Sequence, residues 1–213
     1  MMVLGIETSH DPCSVGLARD GQLMGEMLFC PGDRLLPTLE SLLALHHLER
    51  RQIGLVSVAR GPGSFTSLRV GMAVGKGLAQ ALRIPIVGIP SMNAYAERVS
   101  KKICVVLPDR RDLVYYALYE GNRPITAEMS STLRSLLEQV EQTPDLELCI
   151  GPGAERHRAE LERFIAVAPA ALNQPSGAVI AQLGALKYSQ SQHDELWTLE
   201  PLYVQKLIAE SVT

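Results

Sequence analysis

No two of the four cysteines, Cys13, Cys30, Cys104 and Cys149, stand close enough in the chain to make a CxxC pair. That spacing excludes a zinc knuckle and a sequence-local redox dithiol. Cys104 in "KICVVL" and Cys149 in "LELCIG" read as small core residues. An excess of positive charge is also missing: the net charge is −3 and the isoelectric point about 6.0. A chain that binds RNA strongly by itself is usually basic, so a nucleic-acid role here needs a partner to supply the positive surface. No apolar run approaches the roughly 20 residues of a membrane span. The opening "MMVLGIETSHD" carries no positive segment and reaches an acid at position 7, unlike a signal peptide. With free thiols expected, these features point to the reducing cytoplasm.

Paired metal ligands are missing as well. The histidines are His10, His46, His47, His157 and His193, and no two are four apart, the spacing that lets one helix face chelate an ion. His46 and His47 are adjacent, so on a helix they project about 100° apart. No metal site is expected. What is present is an ordinary globular composition, 46% hydrophobic and 20% charged, over 213 residues. That length suits one large domain or two small ones sharing a core.

The pattern along the chain predicts an α/β protein. "MVLGI" reads as a buried strand. "CSVGLARDGQLMGEMLF" alternates around Asp20-Gly21, a hairpin signal. "RLLPTLESLLALHHL" has helical spacing, with Asp33 as its N-cap and Pro37 in its first turn. "IGLVSVARGPGS" is a strand entering a Gly-Pro-Gly turn. A long helix follows from about Thr66, then the strand "IPIVGI" and a helix capped by Ser91. From Lys101 the pattern restarts. "KICVVLPDRRDLVYYALYEG" is strand, turn, strand, "STLRSLLEQVEQ" a helix, and "LELCIGPGAERHRAELERFI" a strand, Gly-Pro-Gly and a helix. "SGAVIAQLGALKYSQ" is a further helix and "LEPLYVQK" a short extended tail. The repeated order predicts two related lobes, 1–100 and 101–213, the second reduced.

Residues 59–82, "ARGPGSFTSLRVGMAVGKGLAQAL", carry the most unusual pattern. They do not form a Walker loop: three residues, not four, separate Gly71 from Gly75, and Lys76 precedes Gly77. Gly61, Gly63 and Ser64 could present amides to a phosphate at the helix N-terminus, or could simply make a tight turn. Within the helix, each interior glycine costs about 1 kcal/mol relative to alanine. Gly71 and Gly75 share a face with Ser67 and Ala79, and such a face lets another backbone approach closely. That neighbour could belong to this chain or to another one. Elsewhere, Asp109, Arg110, Arg111 and Asp112 read as a self-neutralising hairpin tip. "GPGAERH" makes a weak dinucleotide fingerprint.

The segments "GIETSHDPCSVGLARDG", "DRLLPTLESLL", "ARGPGSFTSLRVGMAVGKGLA", "LPDRRDLVYYALY", "GPGAERH" and "PLYVQK", in this order, resemble the TsaB (YeaZ) family. The most specific of them resembles the family's R-G-P-G-S-F-T-G-L-R-I-G signature, with Ser67 in place of a glycine. The resemblance implies two ribonuclease-H-like lobes of the actin, heat-shock chaperone and sugar kinase superfamily. It implies a non-catalytic accessory subunit in the making of threonylcarbamoyladenosine in tRNAs that read A-starting codons. The implied partners are a TsaD-type catalytic subunit and a TsaE-type ATPase, with tRNA reached only through the complex and a homodimer when the chain is alone. In the family, helices corresponding to about 34–46 and 65–82 form the interface. Leu36, Leu39, Leu43, Val70 and Val74, flanked by Gly71 and Gly75, are the interface residues expected here. Thr8, Ser9, Gly61, Gly63 and Ser64 would be a vestigial phosphate site with at most weak nucleotide binding and no other cofactor. Glu7-Thr8 stands where most members have Asp-Thr and looks more like the catalytic paralogue. The alternative is therefore an active ATP- or metal-dependent transferase or phosphotransferase, with Glu7 as a metal-binding acid.

Overall fold

The computed structural model describes residues 1–32, 34–110 and 112–204. The chain divides into two compact units, one of residues 1–94 and 175–202, the other built on 95–174.

The first unit opens with three strands, β1 (Met2–Glu7), β2 (Cys13–Arg19) and β3 (Gln22–Phe29), antiparallel in succession. The Asp20-Gly21 turn forms the hairpin as its sequence requires, both residues having positive φ. Helix α1 (Leu35–Leu45) follows, with Pro37 in its first turn, where no amide partner is needed. Its expected cap, Asp33, lies outside the described residues. Strand β4 (Ile53–Ala59), helix α2 (Phe65–Leu82) and strand β5 (Ile86–Ile89) complete the run, and α3 (Ser91–Ala96) leads out of the unit. The sheet order is β3-β2-β1-β4-β5, with β1, β4 and β5 parallel. Every residue of β1 is buried, as a central strand covered on both faces demands.

The second unit contains β6 (Lys102–Pro108), β7 (Leu113–Glu120), β8 (Arg123–Pro124), β9 (Met129–Thr132), α4 (Leu133–Gln142), β10 (Leu148–Ile150), α5 (Pro152–Arg156), α6 (Arg158–Leu161) and β11 (Ala166–Val167). Its sheet runs β11-β10-β6-β7-β8, with β9 also on β7. The outer strands are two to four residues long, too short for an alternating pattern to announce them. The helix expected after Gly153 breaks at His157 into two short pieces.

One helix changes sides. Helix α7 (Gly177–Ser189), which chain position places with the second half, packs on β1, β2 and β4 of the first sheet. The reason is backbone proximity. Gly5 and Gly16 lie directly under the Gly177–Ala178 backbone, where any side chain would collide. Ser57 adds a 2.8 Å hydrogen bond to the Ile180 carbonyl. The first sheet is thus covered on one face by α1 and α2, and on the other by α7.

Candidate functional site

The Gly-Pro-Gly turn joins β4 to α2. Gly61 adopts φ +95° and is followed by a cis peptide to Pro62. Its amide donates to Ser91 Oγ at 3.2 Å, and its carbonyl accepts the Ser91 amide at 2.8 Å. The Ser64 amide donates to the Ser9 carbonyl at 2.7 Å, and Gly63 backs onto Ser9 with no room for a side chain. Ser9 Oγ bonds His10 Nδ1 at 2.8 Å, while the Ser9 amide donates to Glu7 Oε1 at 2.6 Å. The Thr8 hydroxyl is buried against Gly71.

Thr8, Ser9, Gly61, Gly63 and Ser64 therefore do converge, but the amides of Gly61 and Ser64 are engaged inside the protein. The Ser64–Ser9 bond clasps the β1–β2 connection to the α2 entry, and the Gly61–Ser91 bonds tie the same turn to the start of α3. Ser64 precedes α2 without capping it, its hydroxyl bonding Ser67 Oγ instead. Among the described residues, no group of three or more His, Cys, Asp or Glu could hold a metal. Glu7 is buried at the end of β1.

Helix α2 sorts its small residues by face. Gly71 meets Thr8, and Gly75 meets Val58, Val56 and Ile6 of the sheet. Their lack of side chains lets α2 lie close on β1 and β4. The neighbour left open by the sequence is thus the chain's own sheet. Leu39 and Leu43, 0% and 3% exposed, belong to the same core, and Val74 packs partly against it. Leu39, Leu43, Gly71 and Gly75, expected at an interface, lie buried within the first unit.

The outward face differs. Leu36 is 49% exposed, Phe65 53% and Val70 43%. Ala73, Gly77 and Ala81 continue the exposed row beside Val70 at helical spacing, and no described residue lies within 4 Å of a Cβ built at Gly77. Gly77 follows Gly75 by two residues, about 200° around the helix, which puts it on the opposite side. The Arg69 guanidinium stacks 3.7 Å from the centre of the Phe65 ring, bringing a cation to the same end of α2. A groove of about 390 Å³ adjoins this face, lined mainly by Cys13, Phe29, Pro31, Leu35 and Val70, with Thr66 and Ser67 at its rim. Burial, reinforced by the charges of Glu7 and Asp11, pushes the Cys13 thiol up to about 12, so it acts as apolar lining.

The sequence missed Phe65, Ala73, Gly77 and Ala81. The signal was the phase of Gly77 against Gly71 and Gly75, which only the sheet's position turns into inside and outside. At the hairpin tip after β6, Asp109 accepts Ser130 Oγ at 2.8 Å and the Arg110 amide at 2.6 Å. Arg111 lies outside the described residues. No helix among the described residues is long and apolar enough to cross a membrane.

Residues 32–147, more than half of the chain, match the family model described as "TsaD: tRNA N6-adenosine threonylcarbamoyltransferase". The tRNA threonylcarbamoyladenosine biosynthesis protein TsaB of Escherichia coli is 30% identical over 128 residues, 56% of this chain and 55% of that protein. The matched stretch thus spans little more than half that relative's length. The Bacillus subtilis protein of the same name is 26% identical over 226 aligned positions, 99% of this chain and 97% of that one. The solved structure of YeaZ from Pseudomonas aeruginosa superposes with a TM-score of 0.79 at 22% identity, covering 95% of this chain and 99% of that one. The likeness shows that this chain shares that structure's fold. The chain belongs to the TsaB (YeaZ) family.

Proposed function

We propose that this chain is a non-catalytic accessory subunit in the formation of threonylcarbamoyladenosine on tRNA, and that the outer face of α1 and α2 binds a TsaD-type catalytic subunit. The observation that carries the reading is the exposed row Val70, Ala73 and Gly77, beside Leu36 and Phe65. Gly77 weakens its helix by about 1 kcal/mol, and no neighbour among the described residues explains it. Close approach of a second helix does. The apolar side chains beside it offer the kind of patch that marks an interaction surface. The accessory role is supported by the clasp, since the amides best placed to hold a phosphate are occupied by Ser9 and Ser91. A TsaE-type ATPase and tRNA join through the complex, consistent with the net charge of −3. A homodimer through the same face is the state proposed for the isolated chain.

Sedimentation of the chain with and without a TsaD-type subunit tests the proposal. Wild type is expected to form a heteromeric species. Val70→Glu together with Leu36→Glu is expected to abolish it while the chain keeps its circular dichroism and thermal midpoint. Unchanged association of the folded variant would place the interface elsewhere. Metal-dependent ATP turnover by the isolated chain would overturn the accessory role.

A further inference from the structure

Two cysteines that lie 45 positions apart in sequence meet in the second unit. Cys104 of β6 and Cys149 of β10 are direct partners in a parallel pair, and neither is exposed. Directly opposed residues of a parallel pair leave the sheet on the same face, with their backbones about 4.8 Å apart. That separation lies inside the roughly 4.4–6.8 Å between Cα atoms that a disulfide requires. The Cys104 thiol donates to the Val105 carbonyl at 4.0 Å. Val106, Val114, Leu136, Val140 and Ala154 surround the two thiols with apolar side chains.

We propose that Cys104 and Cys149 are a latent cross-strand disulfide, closed by exchange with a small-molecule disulfide such as oxidised glutathione. The contact with Cys149, and then burial, holds the Cys104 thiol well above its ordinary range. The closed sheet therefore keeps the pair protonated and unreactive. Reaction needs a local opening, and the topology says where. Outside β10 lies only β11, joined by two residue pairs, Leu148 with Ala166 and Cys149 with Val167. Opening at this edge uncovers Cys149 before Cys104, which sits on the seven-residue strand β6.

The Cys149 thiol loses its proton to water and attacks one sulfur of oxidised glutathione. The S–S bond breaks, and one glutathione leaves as a thiolate that takes up a proton. While the edge is still open, the Cys104 thiol gives its proton to water, and its thiolate attacks the Cys149 sulfur of the mixed disulfide and expels the second glutathione as a thiolate that takes up a proton. Two protein thiols become one disulfide and one glutathione disulfide becomes two thiols, with no other oxidant. The product staples β6 to β10.

The test uses the full chain carrying Cys30→Ser, which removes the exposed cysteine, equilibrated over a series of reduced-to-oxidised glutathione ratios. Peptide mapping without reductant is expected to find a Cys104–Cys149 linkage, absent from the same chain with Cys149→Ala. Closing this loop is expected to raise the thermal midpoint by on the order of 5–10 °C. Free Cys104 and Cys149 at every ratio, or a linkage that forms only once urea has unfolded the chain globally, would overturn the proposal. So would a linked form with a lowered midpoint, because the pair would then be strained rather than poised.

Discussion

Two glycines of α2, two positions apart, should respond to the same substitution with opposite sign. At Gly77 a Cβ meets nothing within 4 Å. Gly77→Ala then only removes glycine's backbone penalty in an exposed helix, a gain of about 0.5–1 kcal/mol. In a domain of this size that raises the thermal midpoint by roughly 1–4 °C. At Gly75 the added carbon would occupy the position of Val58 Cγ1, with Val56 and Ile6 behind it. Gly75→Ala must push α2 off the sheet or shift the valine, a loss of about 1–3 kcal/mol typical of overpacking. Binding should separate the two differently. If a partner helix lies on the outer face, the methyl at position 77 sits in the closest part of the contact. A penalty of about 1–3 kcal/mol there weakens Kd roughly 5- to 150-fold. Differential scanning calorimetry of the isolated chain and titration calorimetry with a TsaD-type subunit measure the two effects. A more stable Gly77→Ala chain that binds as tightly as wild type would refute the outer face as the interface. A less stable one would mean that an internal neighbour touches this position.

Other substitutions test the internal framework. Gly71→Ala drives a carbon into the Thr8 hydroxyl and should lose roughly 1–3 kcal/mol by urea denaturation, whereas Gly71→Ala with Thr8→Ala should recover part of that loss. Asn173, buried in the second unit, accepts the Gly151 amide at 2.8 Å and donates to Glu155 at 2.7 Å and to the Ala168 carbonyl at 3.0 Å. Asn173→Ala strands those groups and should cost about 1–3 kcal/mol, with faster hydrogen exchange at Gly151 as its local signature. Asp194 fastens the segment after α7 to β5, accepting the Gly88 amide at 2.8 Å and Lys187 Nζ at 2.9 Å. Burial works to raise its pKa, but the Gly88 amide and Lys187 outweigh it and hold the carboxyl below its ordinary 3.8. A depressed carboxyl stabilises the fold above its unfolded value, and that contribution drains away as pH falls through the folded one. The urea midpoint should therefore decline below about pH 4, and Asp194→Asn should flatten that decline while lowering the midpoint at neutral pH.

Period and turn chemistry made much of the fold legible in the sequence. The alternation around Asp20-Gly21 marked the hairpin, and the leucine spacing marked α1. The Gly-Pro-Gly signature carried the family. These signals are local, set by backbone geometry within a few residues. The small residues of α2 were equally visible, but a helix has no inside until something packs on it. Only the seating of α2 on β1 and β4 turned Gly71 and Gly75 inward and left Gly77 facing out. The same holds for α7, which crosses to the first sheet because Gly5 and Gly16 admit its backbone. Cys104 and Cys149, read separately as core residues 45 positions apart, became neighbours once β10 paired with β6. The sequence by itself determined the longer strands and helices. Which faces they bury, and which distant side chains meet, was decided by sheet order and close approach, because those depend on contacts between residues that the chain does not place together.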